Sequence, residues 1–216
     1  EPGERAKIAV STSDERVDPV GACVGVKGSR VQTIVRELSG ERIDIVSWID
    51  EPQIFIERAL SPANVSRVIT DNRRKHAVVL VDEDQLSLAI GKSGQNSRLA
   101  VQLTGWGLDI ITDAQYQERR AKQEGIQQLL RKIPGVSELI ALSLTTSGFD
   151  SIRSVSEATI ELLRTVPGLE DEDASRKIRT TAENFLAEHG PDVDMVEDSV
   201  GNTEVDNKND SPENSY

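Results

Sequence analysis

The chain is poor in the residues that carry most protein chemistry. Its 216 residues include one cysteine, Cys23, and two histidines, His76 and His189. A single cysteine excludes an internal disulfide, and with no export signal it suits a reducing cytoplasm, the expected location. No Cys/His spacing fits a zinc site. No carboxylate pair or Ser/His arrangement suggests catalysis, so neither an enzyme nor a cofactor is expected. Aromatics make up only 3%, too few for stacking platforms along a single strand of nucleic acid. No apolar run reaches the roughly 18–20 residues of a membrane-spanning helix, so no membrane partner is expected. There is also no initiating Met and no signal peptide, and the chain is expected to be a fragment.

What is present is charge. Hydrophobic residues supply 37% and charged residues 29%, with a formal net charge of −12. That composition suits one or two compact domains. The charge is uneven: residues 1–113 carry 14 Lys/Arg against 17 Asp/Glu, whereas residues 191–216 carry 1 Lys against 8 Asp/Glu. Global acidity argues against a generic basic nucleic-acid binder and leaves room for local basic loops. The stretch 191–216 is polar and low in large apolar residues, which predicts a disordered acidic tail. It reads as a solubilising tail or as an autoinhibitory mimic of RNA.

Two segments repeat. "DPVGACVGVKGSRVQTIVRELSGERIDIV" (Asp18–Val46) aligns with "DQLSLAIGKSGQNSRLAVQLTGWGLDII" (Asp84–Ile111). Gly25 meets Gly91 and Gly28 meets Gly94; after one gap Gly40 meets Gly105, and Ile43-Asp44-Ile45 meets Leu108-Asp109-Ile110. Each copy reads as short helix, G-x-x-G, longer helix, glycine stop and strand. Val20, Val24, Val31, Ile34, Val35 and Leu38 place apolar residues on one helical face, as do Leu86, Ile90, Leu99, Val101 and Leu103. Gly91-Lys92-Ser93 looks like the end of a nucleotide-binding loop, but that motif needs a glycine where Leu86 stands. A G-x-x-G between two helices instead lets backbone approach backbone and aims helix N–H groups outward. That is the clamp of KH domains, which holds about four nucleotides of single-stranded RNA. The bland alternative is a pair of tight helical hairpins with no ligand.

Before the second copy stand a helix, "PQIFIERAL", and two strand-like runs, "VSRVIT" and "HAVVLV". Strand, strand, helix, helix, strand is the order of the KH variant common in bacteria. The first copy has one such run, "KIAVST", so the chain is expected to begin inside that domain. Arg73–Lys75 falls on the turn between two strands, either as an RNA contact or as a solvated turn. Trp48 and Trp106 read as packing residues before base-stacking ones. Cys23 reads as a buried packing residue, and Asp82, Glu83 and Asp84 as capping and dipole charges of the following helix.

These residues resemble the NusA family of bacterial transcription factors, densely from Glu1 to about Asp113. The resemblance implies an α+β fold: tandem type II KH domains, the first truncated at its N-terminus (1–49) and the second at 50–113. It implies that both domains leading the family's chains, one polymerase-binding and one OB-type, are absent here. It also implies a monomer that binds the nascent transcript, RNA polymerase and other elongation factors, in pausing, termination and antitermination. The residues expected against RNA are Gly25, Val26, Lys27, Gly28, Ser29 and Arg30 in the first copy. In the second they are Gly91, Lys92, Ser93, Gly94, Gln95, Asn96 and Arg98.

Residues 114–124 read as a helical connector. Across 125–190, "KIPGVSELIA" and "TVPGLEDEDA" share an apolar-Pro-Gly-apolar turn, 33 residues apart from Pro134 to Pro167. This resembles an all-α tandem helix-hairpin-helix domain of five short helices. Glu170, Asp171, Glu172 and Asp173 beside the second turn would repel a phosphate; Arg131 and Lys132 make the first the better candidate. Protein docking is favoured for this domain. The rival reading of the whole chain is a KH/helical adaptor docking on RNA polymerase or ribosome-associated factors.

Overall fold

The structure, a computed structural model, describes residues 1–190 and 193. The expected tail, 191–216, lies outside them apart from Val193. The chain divides into two compact units, Glu1–Arg119 and Arg120–Tyr216.

The first unit holds two modules. The second of them is the more complete: α3 (Pro52–Ala59), β3 (Arg67–Asp71), β4 (His76–Val81), α4 (Glu83–Ile90), α5 (Gln95–Thr104) and β5 (Gly107–Thr112). Its sheet runs β3-β4-β5, with β4 antiparallel to β3 and parallel to β5. The central strand, "HAVVLV", is a β-branched run buried along most of its length, as a strand covered on both faces should be. Pro52 opens α3 at a position where its missing N–H costs nothing. The helix then seals the core with Ile56 and Ala59, beside Leu60, Ala77, Val79, Val81, Ala100 and Trp106.

The first module repeats this plan with fewer parts: β1 (Arg5–Val10), α1 (Pro19–Val24), α2 (Ser29–Glu37) and β2 (Arg42–Ser47). The parallel pair β1–β2 matches β4–β5, and no counterpart of α3 or β3 occurs before it among the described residues. The shortfall shows in burial. Neither α1 nor α2 contains a buried residue, and Ile34 and Leu38 of the apolar face are 46% and 44% exposed. Cys23 is exposed too, correcting the expectation of a packed thiol. The tryptophans stand at different places, Trp106 just before β5 and Trp48 just after β2. Trp106 is buried, with Lys75 Nζ 5.0 Å from its ring centre, whereas Trp48 is 49% exposed.

Within this unit β1 packs beside α5, and β2 beside α3. A polar contact crosses that junction: Lys7 of β1, its side chain fully buried, reaches the Ser61 carbonyl of the second module.

An uninterrupted helix, α6 (Asp113–Leu130), spans the expected connector and runs through Gly125. The second unit continues with α7 (Glu138–Thr146), α8 (Ile152–Ser156), α9 (Ile160–Leu163) and α10 (Glu172–His189). Caps explain its short helices: the side chains of Ser137, Ser151, Thr159 and Asp171 each accept a backbone N–H of the first turn. The two Pro-Gly turns are alike. Gly135 and Gly168 have φ of 91° and 92°, Val136 N donates to Ile133 O, and Leu169 N to Val166 O. All four flanking apolar residues join one core with Leu130, Leu144, Ile152, Val155 and Leu163.

Candidate nucleic-acid interface

The repeat becomes two turns of one shape. In the first, Gly25 has φ/ψ 74°/174°, Lys27 51°/31° and Gly28 77°/12°. In the second, Gly91 has 76°/170°, Ser93 52°/28° and Gly94 75°/14°. Gly28 N donates to Gly25 O and Gly94 N to Gly91 O, both at 3.1 Å. Helices α2 and α5 start at Ser29 and Gln95, directly after the turns.

The two glycines of a turn serve different needs. A Cβ on Gly25 would lie 2.8 Å from Arg30 Cγ, and one on Gly91 2.8 Å from both Cβ and backbone N of Asn96. The first glycine therefore lets the two helices close on each other. At Gly28 an added Cβ meets nothing nearer than 3.8 Å, and at Gly94 only the far end of Arg98, Nη1 at 3.1 Å, comes closer, so the second glycine serves the left-handed backbone.

Arg30 and Asn96 occupy the same place in the repeat and do the same work. Arg30 Nη1 donates to Ala22 O at 2.7 Å. Asn96 Nδ2 donates to Ala89 O at 3.1 Å, Leu88 O at 3.4 Å and Leu60 O at 2.9 Å. Both satisfy carbonyls left over at the end of the preceding helix. Asn96 is 2% exposed, so its side chain is turned into the protein rather than toward a strand lying on the turn.

The other expected residues divide between the turns. Val26 is 82% exposed at the tip of the first, and Lys27, Ser29 and Arg30 are also exposed. The lysines are not equivalent: Lys27 takes the left-handed position that Ser93 takes in the second turn, and Lys92 stands where Val26 does. In the second turn Lys92, Ser93 and Arg98 are exposed while Gln95 is buried. Gln95 Nε2 donates to Glu1 Oε2 at 2.7 Å and Glu4 Oε2 at 3.1 Å. Arg98 donates to Glu1 Oε1 from Nε at 3.0 Å and Nη2 at 2.7 Å, and also to the Ser93 carbonyl. The hydrogen bond from Gln95, and then Arg98, hold the Glu1 carboxyl below its ordinary pKa. These groups, with Lys92 and Arg42, line an open cleft of about 500 Å³. Sequence reasoning missed Glu1, Glu4 and Arg42; each lies 49 or more residues from the second turn, beyond any local pattern.

The Arg73–Lys75 cluster is partly engaged. Asp71 Oδ1 accepts the backbone N–H of Arg73 and Arg74, and Lys75 sits over Trp106. In the second unit Glu170 Oε1 accepts the Gly168 N–H at 3.0 Å, filling with a carboxylate the turn donor that could face a phosphate. Glu172 pairs with Arg176 at 2.6 Å. At the first turn Gln128, Arg131 and Lys132 border a shallow cleft of about 270 Å³. No group of three or more His, Cys, Asp or Glu that could hold a metal occurs among the described residues. None of the helices described is long and apolar enough to cross a membrane.

Comparison with known proteins follows these two modules. Residues 1–48 match the NusA-like first KH domain and residues 52–118 the NusA-like second KH domain. A transcription termination/antitermination protein NusA of Rickettsia conorii is 39% identical over 190 residues, which is 86% of this chain and 38% of that protein. One of Rickettsia prowazekii is 39% identical over 176 residues, 80% of this chain and 35% of that protein. One of Halalkalibacterium halodurans is 55% identical over 118 residues, 55% of this chain and 31% of that protein. The chain thus spans between about three tenths and four tenths of the length of these relatives. Both turns and both modules fall inside the two matched domains, and the chain belongs to the NusA family.

Proposed function

We propose that this chain binds single-stranded RNA through its two glycine turns and, without enzymatic activity, regulates bacterial transcription at pausing, termination and antitermination. The observation that carries this reading is the identity of the two turns in backbone shape although the residues between the glycines differ. A shape kept while its side chains change is what a backbone-reading clamp requires, because the contact to RNA is made by main chain and helix N-termini. The names of the relatives, transcription termination/antitermination proteins, support the same role. The RNA is the nascent transcript, and RNA polymerase with its elongation factors is the protein partner of a cytoplasmic monomer. The contact set is Gly25–Arg30 and Gly91–Gly94 with Arg98; Gln95 and Asn96 act from behind by holding the turn.

A second reading applies to the Arg120–Tyr216 unit. Glu170 occupying the Gly168 N–H favours docking on protein over nucleic acid at that turn. The test of the main reading is the double variant Gly28→Asp/Gly94→Asp. Asp is among the residues that tolerate the left-handed backbone best, and each substitution sets a carboxylate where a phosphate would lie. Fluorescence anisotropy with labelled single-stranded RNA should show binding lost while the far-UV circular dichroism spectrum is unchanged. A folded double variant that binds as the parent does would show the clamp assignment to be wrong.

A further inference from the structure

Lys7 is the one lysine whose side chain is fully buried among the ion pairs of the described residues, and the RNA reading gives it no task. It sits on β1 opposite Asp44 of β2 in register. Its ammonium lies 3.3 Å from Asp44 Oδ2 and donates to the Ser61 carbonyl at 3.1 Å. Ser61 follows α3, so that bond crosses from the first module into the second. Asp44 is itself fixed by Arg5, whose Nε and Nη2 donate to its two oxygens at 2.8 and 2.9 Å. In the second module the matching strand position is Val78, opposite Asp109.

A buried ion pair is a poor source of stability, since a well-packed apolar side chain often does as well; in some proteins what it adds is a single allowed geometry. Burial pushes the Lys7 pKa below the usual lysine value and Asp44 partly restores it, as expected of a charge held by few partners. The junction it spans is the one that sets the spacing of the two turns, because β1 packs against α5, the helix that begins at the second turn.

We propose that Lys7 is a positioning residue that locks the two KH modules in one register, so that both turns engage a single RNA strand together. This rests on the RNA reading above. Joining two weak sites in fixed geometry raises affinity for a ligand that spans them and leaves each site's own affinity unchanged.

The experiment compares Lys7→Met with the parent chain on random-sequence single-stranded RNAs of about 5 and about 12 nucleotides, the longer able to fill two clamps of about four nucleotides each. The expected result is a loss on the order of tenfold or more on the longer RNA and none on the shorter. An equal loss on both would overturn the proposal. A second readout needs no RNA: spin labels on the exposed Cys23 and on Asp84→Cys report the distance between modules. That distribution should be narrow in the parent and broad in Lys7→Met; an unchanged distribution would overturn the proposal. Should Lys7→Met lose the parent's circular dichroism, Lys7→Gln, too short to reach Ser61, replaces it. A parent chain that binds neither RNA defeats the clamp reading, while the distance measurement still judges Lys7.

Discussion

At Gly91 the added Cβ would press on backbone, at Gly25 mainly on the flexible side chain of Arg30. Both glycines hold a conformation that is costly for other residues, about 1–3 kcal/mol. Gly91→Ala should therefore fall at or above the top of that range and Gly25→Ala lower in it. Gly28→Ala, in the left-handed region with open space beside it, should cost about 1 kcal/mol. Urea midpoints of the three variants check the order. Asn96→Ala removes the donor to three carbonyls and should cost about 1–3 kcal/mol. It is expected to act on RNA only through the loosened turn, so that lowering the temperature restores much of the affinity.

At the scale of elements, the Pro-Gly turn between α9 and α10 carries a pH signature. The backbone N–H of Gly168 holds the Glu170 carboxyl below its ordinary value of 4.5. A depressed carboxylate contributes stability that is full above its unfolded pKa and is lost as pH falls through the folded one. The melting-temperature gap between the parent and Glu170→Gln should be present at neutral pH and shrink below about pH 4. Helix and strand order were legible because a duplicated pattern fixes where each element starts and stops: both turns, both glycine stops and all five strands lie within a few residues of their expected positions. Local boundaries were less so. Asp18 caps α1, but the cap of α4 is Asp82, two residues before the aligned Asp84. The connector carries no helix breaker strong enough to stop α6, and Gly125 is absorbed. Burial was not legible at all for Cys23 and Trp48, because it depends on what else packs over a residue, not on the segment that carries it. The bonds from Gln95 and Arg98 to Glu1, and from Lys7 to Ser61, join residues 54 to 97 apart, where no local pattern reaches.

Across the whole molecule the net charge of −12 sets against RNA a general repulsion that a few local cations must overcome. Lys27, Arg30, Lys92 and Arg98 are the four at the turns, and Arg98 already shares Glu1. The affinity for single-stranded RNA should fall with salt at a slope no steeper than about −3 in log–log form, from roughly 0.7 per phosphate neutralised. A much steeper slope would mean that basic residues outside the turns carry the contact. The uneven burial of the two modules has a further effect, on lifetime. With no buried residue in α1 or α2, the first module offers little to hold it shut once β1 and β2 part, whereas the second closes over Ile56, Leu60 and Val79. Native-state hydrogen exchange should find the amides of α2 and β2 opening well before those of β4 and β5. Two grips of one shape would then differ in how long they stay formed, and a strand held by both would be let go from the first turn before the second.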